Sequence, residues 1–332
     1  MTTSAPWLSA LTRWAVSAAD VAAPDRLSIL IFHRVLPRPD PIFPGEMHAA
    51  RFDALMGLVA RSFHVMTLGD AVAARDAGQL PPRAMAITFD DGYADNAQIA
   101  LPLLQRHGLK ATFFVAAGFL DGGRMFNDTV IECLRATRLA QIDLGAWDMG
   151  VRPLGSADER RAAIEGLLPK VKYLPLAERQ LFLAKLLQLA GQPKLPENLM
   201  MCSNEVVQLH RAGMEIGGHT MHHPILRMLN DAEAEAEIAA GRMCLQTLTD
   251  APVDVFAYPN GRPMQDYDLR HAAIVRKLGF RCAVSTASGV SGASDDRFQL
   301  PRFTPWDQSP ARWLLRLAAQ RCMPPRHALA TA

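Results

Sequence analysis

The sequence predicts an α/β protein built on a closed or nearly closed parallel barrel. Two observations carry that reading. Short apolar runs alternate with segments of helical periodicity along most of the chain. One of those runs, residues 84–89, holds no charged side chain, as a strand covered on both faces should. Roughly six to eight strand–helix units fit a barrel. A doubly wound open sheet is the alternative, and in both folds ligands gather at the carboxyl ends of the strands.

Taken in order, residues 27–32 read as the first strand and 51–60 as a helix. A short strand at 64–66 and a helix at 68–77 follow, then the strand 84–89. Residues 96–107 read as a helix that Gly108 ends, and 111–116 as a strand. The rhythm then breaks. Residues 121–202, rich in Leu, Ala, Arg and Glu, read as a helical insertion, clearest over 176–190 with Gly191 as its stop. Alternation resumes with a helix at 203–212, capped by Ser203 and stopped by Gly213. Strands at 214–217, 253–257 and 281–285 and helices at 231–249 and 266–278 complete the series. The barrel domain is thus expected over 27–305. An amphipathic N-terminal helix is expected over 1–26, and a basic helix and tail over 306–332.

The chain has 332 residues, 49% of them hydrophobic, which excludes a disordered protein. A formal charge of +2, from 35 basic and 33 acidic residues, gives no overall drive toward nucleic acid. Cys133, Cys202, Cys244, Cys282 and Cys322 lie far apart and read as free thiols in a reducing compartment. No basic region followed by an apolar core marks the N-terminus as a secretory signal, so a cytoplasmic location is expected. The terminal stripes Trp7, Leu8, Leu11, Trp14 and Trp313, Leu314, Leu317 either pack on the body of the protein or make peripheral contact with an anionic membrane.

Four strand ends carry chemistry. His33 follows the first strand; Asp90, Asp91 and Gly92 follow 84–89. His219 follows 214–217, with His222 and the pair His223-Pro224 just beyond. Tyr258, Pro259, Asn260 and Gly261 follow 253–257. Successive residues of an extended chain point to different sides. One Asp can therefore face a metal while its neighbour faces an attacking water as general base. His219 and His223, four apart, share one side if they form a helical turn, and two imidazoles with one carboxylate make a common catalytic zinc set. His222, three from His219, is an alternative ligand at this stage.

The run Thr88-Phe89-Asp90-Asp91-Gly92, followed by His219-Thr220-Met221-His222-His223-Pro224, resembles the first two motifs of the polysaccharide deacetylases. These form carbohydrate esterase family 4, the NodB-homology domain. The likeness covers roughly residues 27–120 and 203–305. It implies a distorted (β/α) barrel of about seven strands, with Asp91, His219 and His223 holding a divalent metal, usually zinc, and Asp90 as base. The ligand histidine in that motif precedes the proline, which selects His223 over His222.

Two departures stand out. Where the family has Arg-x-Pro-Tyr-Gly, this chain has Ala257-Tyr258-Pro259-Asn260-Gly261, so Arg302 becomes the candidate to orient Asp90. A backbone N–H near Asn260 is the candidate oxyanion donor. The Leu-x-Leu-His motif near the family's C-terminus is missing, which makes His33 the candidate general acid. The expected reaction is removal of N-acetyl groups from a polysaccharide or glycan precursor. The alternatives are a non-catalytic sugar-binding relative and an amidohydrolase acting on a non-sugar amide.

Overall fold

The computed structural model describes residues 25–305, 307 and 309–323. Its centre is a barrel of seven parallel strands. They are β1 (Ser28–Phe32), β3 (Ala84–Phe89), β4 (Thr112–Val115), β7 (Glu215–Gly218), β8 (Val255–Ala257), β9 (Cys282–Ser288) and β10 (Leu300–Arg302), in that spatial order. The short β2 (His64–Met66) pairs with β3 off this path, and β5 (Gln141–Asp143) and β6 (Val151–Pro153) form a separate antiparallel ribbon. A parallel bridge between Leu30 and Phe303 closes β10 onto β1, so the ring is nearly complete.

Residue parity explains the barrel. Ile29, Ala84, Ala86, Phe114, Val255, Ala257, Cys282, Val284 and Leu300 point inward and pack on one another and on the helix Leu68–Asp76. Their chain neighbours Leu30, Met85, Ile87, Phe113, Val115, Phe256 and Ala283 point outward to the surrounding helices. Both faces of the barrel strands are therefore buried over most of their length, and this is why they read as apolar runs rather than alternating ones. The bore is narrow: a Cβ at Gly217 would lie 2.4 Å from the Phe114 ring.

The insertion is helical as expected, over Phe126–Ala136, Ala157–Lys172 and Leu176–Leu189, and has its own core around Leu134, Ile164, Leu167 and Leu186. The ribbon β5–β6 is a correction to an all-helical reading. Gly145, Gly150 and Pro153 interrupt the helical pattern there, and Asp148 takes a left-handed φ of 58° that turns the chain back. The segment 96–107 is helical but begins as a π turn over Asn96–Ala100.

The helix Pro310–Cys322 lays Trp313, Leu314 and Leu317 into the main core, with Trp313 edge-on to Phe63 and Phe303. Of the two uses open to that stripe, packing on the body is what the structure shows. The N-terminal stripe at 1–24 and the tail beyond 323 lie outside the described residues. Among the described residues no helix is long and apolar enough to cross a membrane, and all five cysteines are free.

Candidate metal centre and catalytic site

The inward parity of each strand runs on past its end into one cavity. Counting by twos, 29 and 31 lead to His33; 84, 86 and 88 lead to Asp90; 215 and 217 lead to His219; 284 leads to Thr286. All four residues line a cavity of about 520 Å³ at the carboxyl ends of the strands, together with Asp91, His223 and Asn260. Asp91 falls on the outward parity of β3. Its left-handed φ of 79°, followed by Gly92 at 90°, swings the carboxylate back over the mouth.

Asp91, His219 and His223 present ligand atoms within 4.8 Å of one another. Asp91 Oδ1 lies 3.3 Å from His219 Nε2 and 3.4 Å from His223 Nε2. His219 Nδ1 is 2.7 Å from the Ala257 carbonyl oxygen, which can only accept, so Nδ1 carries a proton and Nε2 offers its lone pair toward Asp91. The four-residue spacing of the histidines does not come from a helical turn, as the sequence had suggested. Thr220 and His223 both have positive φ, 63° and 52°, and the chain between them is a loop tied by the His223 N–H donating to Thr220 Oγ1. His222 points elsewhere: its Nδ1 and backbone N–H both meet Glu237.

Burial is the largest influence on every group of this set. It pushes His223 down to about 4, despite the attraction of Asp91, so the imidazole is neutral at ordinary pH. His219 is held above its usual value because the bond to Asp91 and the charge of Asp90 outweigh desolvation. Asp91 is held below the usual carboxylate range because the same two histidines and His33 outweigh its burial. One carboxylate and two imidazoles of this geometry fit a divalent cation of the zinc type, with a coordination position left toward the cavity.

Asp90 is 2% exposed and its partner Arg302 1%. Arg302 donates from both guanidinium nitrogens to the two carboxylate oxygens, at 2.7 and 2.6 Å, and from Nε to the Ser285 carbonyl at 2.8 Å. Desolvation alone would raise Asp90, but this cation overcomes it and keeps the carboxyl ionised below its usual range. Ala257 vacates the inward position on β8, and Arg302 reaches Asp90 from β10. His33 stands exposed at the cavity edge. Its carbonyl accepts from Asn96 Nδ2 at 2.9 Å, and the next turn of chain is held by Asp95, which accepts from Val35 N–H and from Arg34 Nε.

The turn after β8 divides. Asn260 lines the cavity with φ 57°, and its buried Nδ2 has no hydrogen-bond partner among the described residues. Tyr258 does not reach the cavity: it stacks on Tyr267 at 3.8 Å and donates its hydroxyl to the Phe298 carbonyl. Pro259 is buried, with its carbonyl accepting from Gly261 N–H, and is not among the cavity-lining residues.

The insertion, which the sequence suggests covers one side of the site, supplies a wall of Phe126, Asn127, Leu168, Pro169, Lys172 and Tyr173, none of them singled out from the sequence. The sequence reading missed Asp128, which is buried, accepts from the Tyr93 hydroxyl, and is pushed up to about 7, mainly by desolvation. No signal at those positions separates a cavity wall from an ordinary amphipathic helix. Trp147, a conceivable sugar platform, instead stacks on Phe182 inside the insertion. Trp306 lies outside the described residues.

The polysaccharide deacetylase family profile matches residues 77–139 and 189–283, the two stretches that flank the insertion. YxkH of Bacillus subtilis (strain 168), whose name carries a provisional assignment as a polysaccharide deacetylase, is 31% identical over 97 residues. That stretch is 28% of this chain, and the chain spans about a third (32%) of that relative's length. The Streptococcus pyogenes deacetylase PplD, solved in complex with acetate, shares the fold at 17% identity, with a TM-score of 0.58 over 88% of this chain and 97% of that one. IcaB from Ammonifex degensii does so at 19% identity, with a TM-score of 0.55 over 91% and 99%. With the barrel, the paired aspartates and the two histidines in place, residues 77–139 and 189–283 of this chain belong to the polysaccharide deacetylase family.

Proposed function

We propose that this chain hydrolyses N-acetyl groups on a glycan, leaving a free amine and releasing acetate. One observation carries the reading. Asp91, His219 and His223 converge within ligand distance of one another at the mouth of the barrel, beside a second aspartate clamped by Arg302. A divalent cation held by those three residues, zinc by the chemistry of the donors, would polarise the acetamide carbonyl toward attack.

The remaining work falls to side chains. Asp90, kept ionised, accepts the proton of the attacking water. Arg302 fixes the carboxylate plane, so that the lone pairs not used by the guanidinium face the cavity. The turn at Asn260 sits where an N–H can meet oxygen charge as the carbonyl carbon becomes tetrahedral, and its unpartnered amide group supports that role. His33 stands at the edge to give a proton to the departing amine.

The test is acetate release from N-acetylglucosamine oligosaccharides by the zinc-loaded protein and its Asp90→Asn variant. The variant should retain metal at one equivalent and lose at least about 10²-fold in turnover. Turnover by Asp90→Asn equal to that of the parent removes Asp90 as base. No acetate from any N-acetylated sugar with the parent protein removes the activity.

A further inference from the structure

Resting on the deacetylase reading, we infer that the site takes an N-acetylated sugar bearing an anionic group, held by Arg262 and Lys172 at the insertion side of the cavity.

The two cations belong to different parts of the fold and are brought together by one buried carboxylate. Asp266, fully buried, accepts from the Arg262 backbone N–H through Oδ2 at 3.1 Å. Its Oδ1 meets Lys172 Nζ at 3.5 Å and accepts from the Tyr173 hydroxyl at 3.3 Å. Gln265 closes the group by donating to the Tyr173 hydroxyl at 2.6 Å. Asp266 thus uses its oxygens on the Arg262 main chain, on Lys172 and on Tyr173. The Arg262 side chain is left exposed on the cavity wall, and among the described residues no acidic side chain pairs with its guanidinium.

Charge around the cavity is lopsided. Among the described residues, the acidic side chains lining it are Asp90 and Asp91. Asp90 is neutralised by Arg302, and Asp91 faces two histidines. The insertion side carries Lys172, which pairs with the buried Asp266, and Arg262, with whose guanidinium no acidic side chain among the described residues pairs. A polymer already rich in free amines would meet like charge there. A phosphate or carboxylate on the sugar would meet a planar fork of donors and an ammonium. Both cations sit on backbone that is held in place. Lys172 ends the helix Ala157–Lys172, and the Asn260–Gly261 turn before Arg262 is tied to Thr286 by two hydrogen bonds of 2.8 and 2.9 Å. A site on fixed elements loses little freedom when it binds.

The experiment compares three probes of one length: a neutral N-acetylglucosamine oligosaccharide, the same sugar with a phosphate monoester, and the same sugar oxidised to a uronate. Affinity is read by calorimetry on the full-length, zinc-loaded Asp90→Asn protein, and kcat/KM on the parent. At least one anionic probe should bind about 10-fold or more tightly than the neutral one, as one charged hydrogen bond provides, and the gain should shrink with salt. Whichever of phosphate or uronate gains more identifies the anion. Arg262→Ala and Lys172→Ala should each bring the anionic-to-neutral ratio toward one, Arg262→Lys should restore part of it, and Arg262→Glu should reverse it.

Equal affinity for all three probes in the parent overturns the inference, as does an Arg262→Ala variant that weakens neutral and anionic probes alike. Tighter anionic binding without acetate release from any probe leaves this inference standing and sinks the proposed activity. Acetate release with no anionic preference does the opposite.

Discussion

Arg302 and Asp90, 212 positions apart in the chain, meet through two parallel hydrogen bonds of 2.7 and 2.6 Å inside the barrel. Neither touches bulk water to any extent. Removing one partner of such a pair leaves a buried charge without compensation, which costs far more than the pair itself contributes.

Arg302→Ala should therefore lose about 3–5 kcal/mol in chemical denaturation, while Arg302→Lys should keep part of the stability and lose the bidentate grip. The sign with pH follows from the depressed carboxyl. Asp90 contributes stability above the unfolded carboxyl range, near pH ~4, and that contribution is lost as pH falls through its lower folded value. In Arg302→Ala, desolvation raises Asp90 against His219 and His33 alone, so the acid limb of kcat/KM should move to higher pH. An acid limb that stays where it was in the parent separates Arg302 from the ionisation of Asp90.

His33→Ala should slow turnover by about 10²-fold or more, on the scale of general-acid effects. KM for the glycan should change less than kcat if His33 gives its proton only as the amine departs. Substrates with a better leaving amine should lose less. A near-normal kcat moves the proton donor elsewhere, and Asp128, pushed up to about 7 behind Tyr93, is the next group to replace.

Gly241 lies on the helix Asp231–Thr249 with the backbone of the metal loop directly above it. A Cβ there would come within 2.5 Å of the Thr220 carbonyl oxygen, so Gly241→Ala must displace the loop that carries His219 and His223. Metal affinity should drop about 10–100-fold, the range of outer-sphere changes, with the helix itself intact by circular dichroism. Unchanged zinc affinity in a competition titration shows that the loop yields without cost.

Metal retention should fall with pH in two stages. The raised value of His219 makes protons compete from above pH ~6.5 downward, and His223 joins near 4. Zinc content after dialysis across that span gives the profile. Full retention below pH ~4 is inconsistent with imidazole ligation.

The barrel was legible because both faces of each strand are covered, which leaves uninterrupted runs such as 84–89 that no surface strand would tolerate. The cluster of Asp90, Asp91, His219 and His223 was legible from its combination: turn chemistry explains an Asp-Asp-Gly run alone, but not a histidine pair after a second apolar strand as well. Arg302 was legible by its place near a late strand end, and it closes β10. The β5–β6 ribbon was hidden because its strands, such as Val151–Pro153, are short and exposed, with no apolar alternation to mark them. The Lys172–Asp266–Tyr173 link was hidden because its members lie on the insertion and on a loop that meet only in three dimensions. Tyr258 and Pro259, which their motif position offers as substrate or oxyanion contacts, do not line the cavity: a strand end sends alternate residues to opposite sides, and the Tyr258 ring lies on the outer one.

The insertion keeps a hydrophobic centre of its own, apart from the barrel that supplies the reacting groups. Changes at Phe126, Leu168 or Tyr173 can accumulate without disturbing the strands that aim Asp90 and His219. The cavity wall built by the insertion and the strand ends that carry the metal-site side chains thus rest on separate cores, and selection can reshape one while the other stays as it is.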